Sequence, residues 1–439
     1  MGEKSSPVRR RRPDRALLAS VLSAAFLIFL IGFAVAEFNL PPAGKVRAAI
    51  RAYDELSENW RNDLGIEPTR ALVAAPPGRQ RVVVHDAGLA QPGYRLVSGL
   101  VAGRSTLHGV TLLSLDGEEL HFWPVDYELF SPNGRDAENI FLHGLSVLED
   151  GSLIVNFDGG DAIARLDACG KPLWVVEGLY HHVVSRGHGR TVWAWLDRSA
   201  MVALDADTGR ELRRIVFLED VVEAHQLYGI FAIHTRQDPE RLLYRRKGLH
   251  PNDIEELLPE YADAFPLFDA GDLMFSLRGL NLIGVLDGQD YRLKWWRIGP
   301  WHRQHDPDFL PDGTIAVYNN NMALGASSIE IVDPVTDEVR TFFRSSDQAP
   351  FYSWRRGKHQ YLPNGNFLVA ESERGRVFEV TPDSKVVWEF HNVYDEDRNG
   401  LVNLAMVLAV DFFHDGLPVC DAEGSAVAAL ADLSVSPVR

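Results

Sequence analysis

Gln304-His305-Asp306-Pro307-Asp308-Phe309-Leu310-Pro311-Asp312-Gly313-Thr314-Ile315-Ala316-Val317-Tyr318-Asn319-Asn320-Asn321 reads as an approach strand, a tight turn and a return strand. Asp312-Gly313 between two apolar runs is a strong hairpin signal, because glycine takes positive φ at no steric cost. The polar head of the unit, His305-Asp306, stands eight residues before the glycine. The layout returns four times, with Gly151 leading into 152–157, Gly189 into 190–195, Gly271 into 272–277 and Gly365 into 366–371. Each hairpin is followed by a second one, at 163–176, 201–216, 282–298, 329–343 and 377–390, and a sixth stands earlier at 110–123. Four short antiparallel strands, repeated about every 40–50 residues, predict an all-β fold, a six-bladed β-propeller spanning 80–420. The ring must close. The last apolar run, Val407–Phe413, is expected to complete the first blade, whose front hairpin at Tyr94–Leu107 is weakly patterned. Arg236–Phe265 reads as an insertion carrying a short helix at Asn252–Tyr261, and 421–439 as a flexible tail.

The chain ahead of the propeller has another composition. Residues 1–15 hold six basic side chains against two acidic ones, a balance of +4, so the overall −17 becomes −21 from residue 16 onward. Ala16–Ala36 carries no charge. Twenty-one such residues span ~30 Å as a helix, the thickness of a bilayer core. The reading is a basic cytoplasmic tail (1–15), a single-pass transmembrane anchor (16–36) and a body outside the cytoplasm. A cleaved signal peptide is the rival, since Ala34-Val35-Ala36 has small residues, but the apolar run exceeds the usual length for one. Val46, Ile50, Tyr53, Leu56, Trp60 and Leu64 form one stripe of a juxtamembrane helix at 43–64. That stripe faces the body, a membrane partner protein or a second copy in a homodimer.

The acidic body excludes nucleic acid as a partner, because phosphates call for Lys and Arg. The two cysteines, Cys169 and Cys420, leave a bridge open in an oxidising compartment. No metal or cofactor is expected. No Cys-x-x-Cys pair exists, and the spacing of Asp306, Asp308 and Asp312 does not fit a calcium loop.

Histidines recur at the heads of the repeats. His143, His181 and His305 each lie eight residues before their glycine, and His359 lies six before. An offset of two keeps a side chain on one face of a strand, so all can line the channel. His182 and His250 are further candidates. Imidazole suits acid, base or nucleophilic work near neutral pH. Arg278, at the end of a first-hairpin strand, is the candidate for holding an anionic group in transit.

These residues resemble the arylsulfotransferase family. The match rests on Gln304-His305-Asp306 with Asn319-Asn320, on Leu249-His250-Pro251-Asn252-Asp253, on Ser276-Leu277-Arg278, and on Leu362-Pro363-Asn364-Gly365-Asn366 followed by Val387-Trp388-Glu389. The resemblance implies a six-bladed propeller in the bacterial periplasm, here anchored in the inner membrane, that moves a sulfuryl group from an aryl sulfate donor to a phenolic acceptor without a nucleotide sulfate donor. It implies a transiently sulfated histidine, placed here at His359, with His305, His250 and Arg278 in support. His182, His143 and Asn319 would complete the substrate site. The chain departs from the family in having no arginine between His305 and Arg340. The alternative is a non-catalytic, membrane-anchored propeller that acts as a binding or scaffold subunit.

Overall fold

The structure, a computed structural model, describes residues 15–37, 69–131, 139–158, 161–197, 199–231, 246–414, 416–420 and 426–429. It divides into two units, Met1–Arg70 and Ala71–Arg439. In the first, Arg15–Glu37 is helical. Among the described residues no helix is long and apolar enough to cross a membrane. The helix expected at 43–64 and the basic residues up to 14 lie outside the described residues.

The second unit is the six-bladed propeller. Blade 2 is Leu142–Val147, Leu153–Phe157, Ala162–Leu166 and Pro172–Glu177, in that order from the inside out. Blade 3 is Tyr180–Arg186, Thr191–Leu196, Ala200–Asp205 and Glu211–Val216. Blade 4 is Pro251–Glu256, Leu273–Leu277, Leu282–Leu286 and Leu293–Ile298. Blade 5 is His305–Phe309, Ile315–Asn319, Ser328–Val332 and Val339–Arg344. Blade 6 is Lys358–Tyr361, Phe367–Glu371, Arg376–Val380 and Val386–His391, with Val82–Val84 added at its outer edge. Blade 1 joins the two ends of the chain: Val402–Leu408 is its inner strand, followed by Tyr94–Leu100, His108–Leu113 and Glu119–Val125.

The hydropathy pattern follows from this stacking. The second strand of a blade is sandwiched between neighbouring blades, so Leu153–Phe157, Leu273–Leu277 and Phe367–Glu371 are buried throughout. The outer strand Pro172–Glu177 is mostly exposed. Aromatic side chains tie blade to blade. Trp123 Nε1 donates to the Gly151 carbonyl, Trp195 Nε1 to that of Asp253, Tyr318 Oη to that of Ala370 and Trp388 Nε1 to that of Leu115.

Three expectations need correction. Closure uses Val402–Leu408, not Val407–Phe413, because Asn403 bulges out of the strand and breaks the alternation that marks its start. The presumed insertion contains the inner strand of blade 4: where a helix is expected over 252–261, Pro251–Glu256 is extended and Pro259–Ala262 is helical. The final segment holds a short pair, Pro418–Cys420 with Ala426–Ala429. Cys169 and Cys420 form a disulfide with Cα atoms 5.6 Å apart.

Candidate active site

The inner strands of five blades each carry a β-bulge near the start. The residues squeezed out of register are His143 in blade 2, His182-Val183 in blade 3, Asn252 in blade 4, Asp306 in blade 5 and Asn403 in blade 1. A bulge re-aims a side chain and disrupts pairing locally, which is why bulges gather beside functional sites. His182 (φ 64°), His250 (φ 48°), Arg303 (φ 60°) and Asp306 (φ 50°) are all held in the left-handed region. Such backbone costs energy and persists only where its surroundings impose it.

The bulges bring imidazoles together. The ring of His182 lies 4.4 Å from that of His143, 4.7 Å from that of His181 and 5.2 Å from that of His250. His305 is within electrostatic reach of His143, His182 and His250, and Arg278 stands beside His250 and His305. His143, His182, His250, His305 and Arg278 therefore form one cluster at the channel. Burial keeps the imidazoles neutral. It pushes His143 down to about 3, and, helped by the Arg278 charge, His250 down to about 4. Burial, then neighbouring imidazoles, hold His182 well below its ordinary value; burial, then Arg278, do the same for His305.

Two tautomers follow from the hydrogen bonds. The amide nitrogen of Asn320 donates to the carbonyls of Ser353 (2.8 Å) and Arg356 (2.6 Å), so its Oδ1 faces His305 Nδ1 at 2.7 Å. That oxygen can only accept, so Nδ1 carries the hydrogen and Nε2 has a bare lone pair. In blade 3, His181 Nε2 donates to the Asp197 carbonyl. Its Nδ1 then accepts from His182 Nδ1 at 2.6 Å, which leaves His182 Nε2 bare as well.

His359 is elsewhere. Its fully buried ring stacks on Phe367 at 5.2 Å, and its Nδ1 meets Asp306 Oδ2 at 2.8 Å and Asp308 Oδ2 at 3.5 Å. His359, expected as the attacking histidine, thus stands apart from the imidazole cluster, with its ring facing carboxylates. Asp306 also pairs with Lys358, whose Nζ lies 3.4 Å from Asp253 Oδ1. With Glu255 these form a carboxylate nest, in which burial pushes Asp253 up to about 7 and raises Glu255 and Asp308 well above the usual range. Asp306, Asp308 and His359 offer three ligand atoms within 4.8 Å of one another, but the Lys358 ammonium already supplies the countercharge.

Asn319, expected at the substrate, is committed to structure. Its Oδ1 accepts from the His302 backbone N–H at 2.9 Å, and its Nδ2 donates to Ser328 Oγ at 3.2 Å. The neighbouring Asn320 is the residue that holds His305. The missing arginine after the hairpin is answered from other loops: Arg303, Arg355 and Arg356 lie in range of Arg278. They stand just before the inner strands of blades 5 and 6, where no turn signal marks them.

Similar solved folds include a Bacteroides caccae protein of unknown function (12% identity, TM-score 0.47, 72% of this chain and 98% of that one). The β-propeller domain of Cps50 from Myceliophteria thermophila is similar at 10% identity and TM-score 0.41, over 70% of this chain and 90% of that one. Virginiamycin B lyase from Staphylococcus aureus is similar at 13% identity and TM-score 0.34, over 57% and 69%. No curated protein matches the chain. The arylsulfotransferase (ASST) family model matches residues 144–393, which holds His182, His250, Arg278 and His305. On that match the chain belongs to the arylsulfotransferase family.

Proposed function

We propose that this protein transfers a sulfuryl group from an aryl sulfate to a phenol, with His305 Nε2 as the attacking atom. The observation that carries the reading is the Asn320-fixed tautomer of His305 beside Arg278. The bare Nε2 attacks sulfur and the bond from sulfur to the aryl oxygen breaks. The electron pair leaves on the phenolate, which takes its proton from solvent, and the proton that His182 accepts in the second half returns to solvent to close the cycle. Arg278 stabilises charge on the three sulfuryl oxygens. In the second half, the acceptor phenol gives its proton to His182 Nε2, its oxygen attacks sulfur, and the S–N electron pair returns to His305. One difficult transfer is split into two easier ones. No cofactor enters the scheme.

The test is turnover of a chromogenic aryl sulfate with and without a phenol acceptor. Phenol release that needs the acceptor supports transfer, and release without it means hydrolysis. A wild type inert across varied phenols would favour the scaffold reading.

The periplasmic, membrane-anchored placement is also a proposal. It rests on the uncharged run 16–36 with the arginines before it, and the Cys169–Cys420 disulfide supports an oxidising compartment. The check is membrane fractionation, with protease accessibility of the body in spheroplasts; a body protected from protease is the contrary result.

A further inference from the structure

The mouth of the cluster carries more positive charge than one sulfuryl group uses. Arg303, Arg355 and Arg356 all lie within electrostatic range of Arg278. Two carboxylates answer them. Asp158 and Glu373 lie 3.2 Å and 3.7 Å from the Arg356 guanidinium, and Asp158 also faces Arg355. Arg278 and Arg303 make no salt bridge among the described residues. The hydrogen-bond contact of the Arg278 guanidinium is the Met322 sulfur at 3.5 Å, and its buried Nε has no partner. The charges of Arg278 and Arg303 are thus answered by no salt bridge among the described residues, with the imidazoles neutral.

The two surplus arginines are held on one scaffold. The backbone N–H of Arg303 donates to Asn281 Oδ1 at 2.8 Å, and the N–H of Asn281 donates back to the Arg278 carbonyl at 3.3 Å. Trp301 Nε1 pins the Asn281 carbonyl at 2.8 Å. Arg303 itself sits at φ 60°, a backbone that nothing in a plain loop demands. Charges left unpaired in a partly buried mouth are costly unless a ligand completes them. An aryl sulfate monoester is a monoanion, so Arg278 alone balances it.

We propose that Arg303 forms a second anion subsite beside the sulfuryl position, and that the phenols this protein handles carry an anionic ring substituent of the carboxylate class. The inference rests on the sulfuryl-transfer reading and names its substrate class. A planar guanidinium suits a carboxylate, which it can bind through two parallel hydrogen bonds.

The test uses inert sulfonates, so it does not depend on turnover. Calorimetry compares benzenesulfonate with 3-sulfobenzoate and 4-sulfobenzoate on the full chain. At least one sulfobenzoate is expected to bind about tenfold or more tightly than benzenesulfonate. In Arg303→Gln that ratio falls to about one, and Arg303→Lys, which keeps the charge, recovers part of it. Benzenesulfonate that binds as well as both sulfobenzoates overturns the second subsite and leaves the sulfuryl reading standing. A ratio retained in Arg303→Gln overturns the assignment to Arg303. Failure of all three sulfonates to bind the wild type overturns both readings.

Discussion

His305 and His359 show how surroundings, more than residue type, assign a role. Both are buried and both have Nδ1 paired, His305 to an amide oxygen and His359 to a carboxylate. His305 faces the other imidazoles, whereas His359 is packed between Phe367 and Tyr318. His305→Ala should therefore lower sulfuryl transfer by about 10³-fold or more, as loss of a nucleophile does. His359→Ala should keep transfer within about tenfold yet destabilise the fold by about 1–3 kcal/mol, since Asp306 loses a donor. Rates and urea midpoints on the two variants separate these outcomes, and an inert, well-folded His359→Ala enzyme would return the attacking role to that residue. The neutral cluster also sets a pH response. With His250 at about 4 and His143 at about 3, the free enzyme should hold a flat rate across neutrality and lose activity only as the medium approaches those values. Stability carries the matching sign. The unfolded chain takes up protons on these imidazoles from about pH 6.5 downward, and the folded chain does not until far lower. The native state thus loses stability as pH falls from the unfolded value toward the folded one. Asp253, raised to about 7, works the other way, so the difference between wild type and His143→Gln isolates the histidine. Wild type should lose stability relative to His143→Gln as pH falls below about 6.5; a constant gap would show that His143 titrates normally.

At the scale of the strand, the bulges decide which residues meet. Asn156 links two of them: its Oδ1 accepts from the Gly144 N–H at 2.9 Å and its Nδ2 donates to the Val183 carbonyl at 3.3 Å. Gly144 is required there. A Cβ on it would come within 2.8 Å of the Val183 and Val184 backbone, where no side chain can swing aside. Gly144→Ala should push apart the inner strands of blades 2 and 3. It should cost about 1–3 kcal/mol of stability and about tenfold or more in turnover through misplacement of His143 and His182. Circular dichroism and kinetics on the variant check this, and wild-type turnover would mean the bulges tolerate a shift. The bulges also explain what could be read in advance. The hairpins were legible because Asp150-Gly151, Asp312-Gly313 and Asn364-Gly365 spell their turns, and His143 and His305 were legible from their distance to those turns. The two-residue period fails across a bulge. His181 lies at the matching offset, but its neighbour His182 occupies the centre of the cluster. The blade 6 strand pairs Lys358–Tyr361 without a bulge, so the offset of His359 sends it into the carboxylate nest. His250 precedes a strand whose long turn hides the repeat: Ile254, Leu257 and Tyr261 stand at a helix-like spacing, yet Pro251–Glu256 is extended.

For the whole molecule, the weak point of a propeller is the seam where its ends meet. Here the seam is the pairing of Val402–Leu408 with Tyr94–Leu100, about 300 residues away along the chain, a separation whose closure entropy is large. Three further features reinforce it. Arg95 and Glu379 form a fully buried ion pair at 2.8 Å between blades 1 and 6. Phe413 and Leu417, just beyond the closing strand, are buried with the core of blades 1 and 2. The Cys169–Cys420 disulfide then fastens that same segment to the turn between the third and fourth strands of blade 2. Its cysteines are 251 residues apart, so the bridge removes much of the freedom of the open, unfolded ring. In the chain-entropy account a loop of that size is worth about 5–6 kcal/mol. The double variant Cys169→Ser, Cys420→Ser should therefore unfold at a distinctly lower denaturant concentration, and reduced wild type should match it. Because the bridge acts at the seam, its loss should be felt locally as well. Amide exchange should quicken first in Val402–Leu408 and Tyr94–Leu100, while Leu273–Leu277 in blade 4 stays protected up to global unfolding. Uniform loss of protection in every blade would mean that the ring opens only as a whole. An unchanged midpoint would mean that the strand pairing and the Arg95–Glu379 pair close the propeller without the bridge.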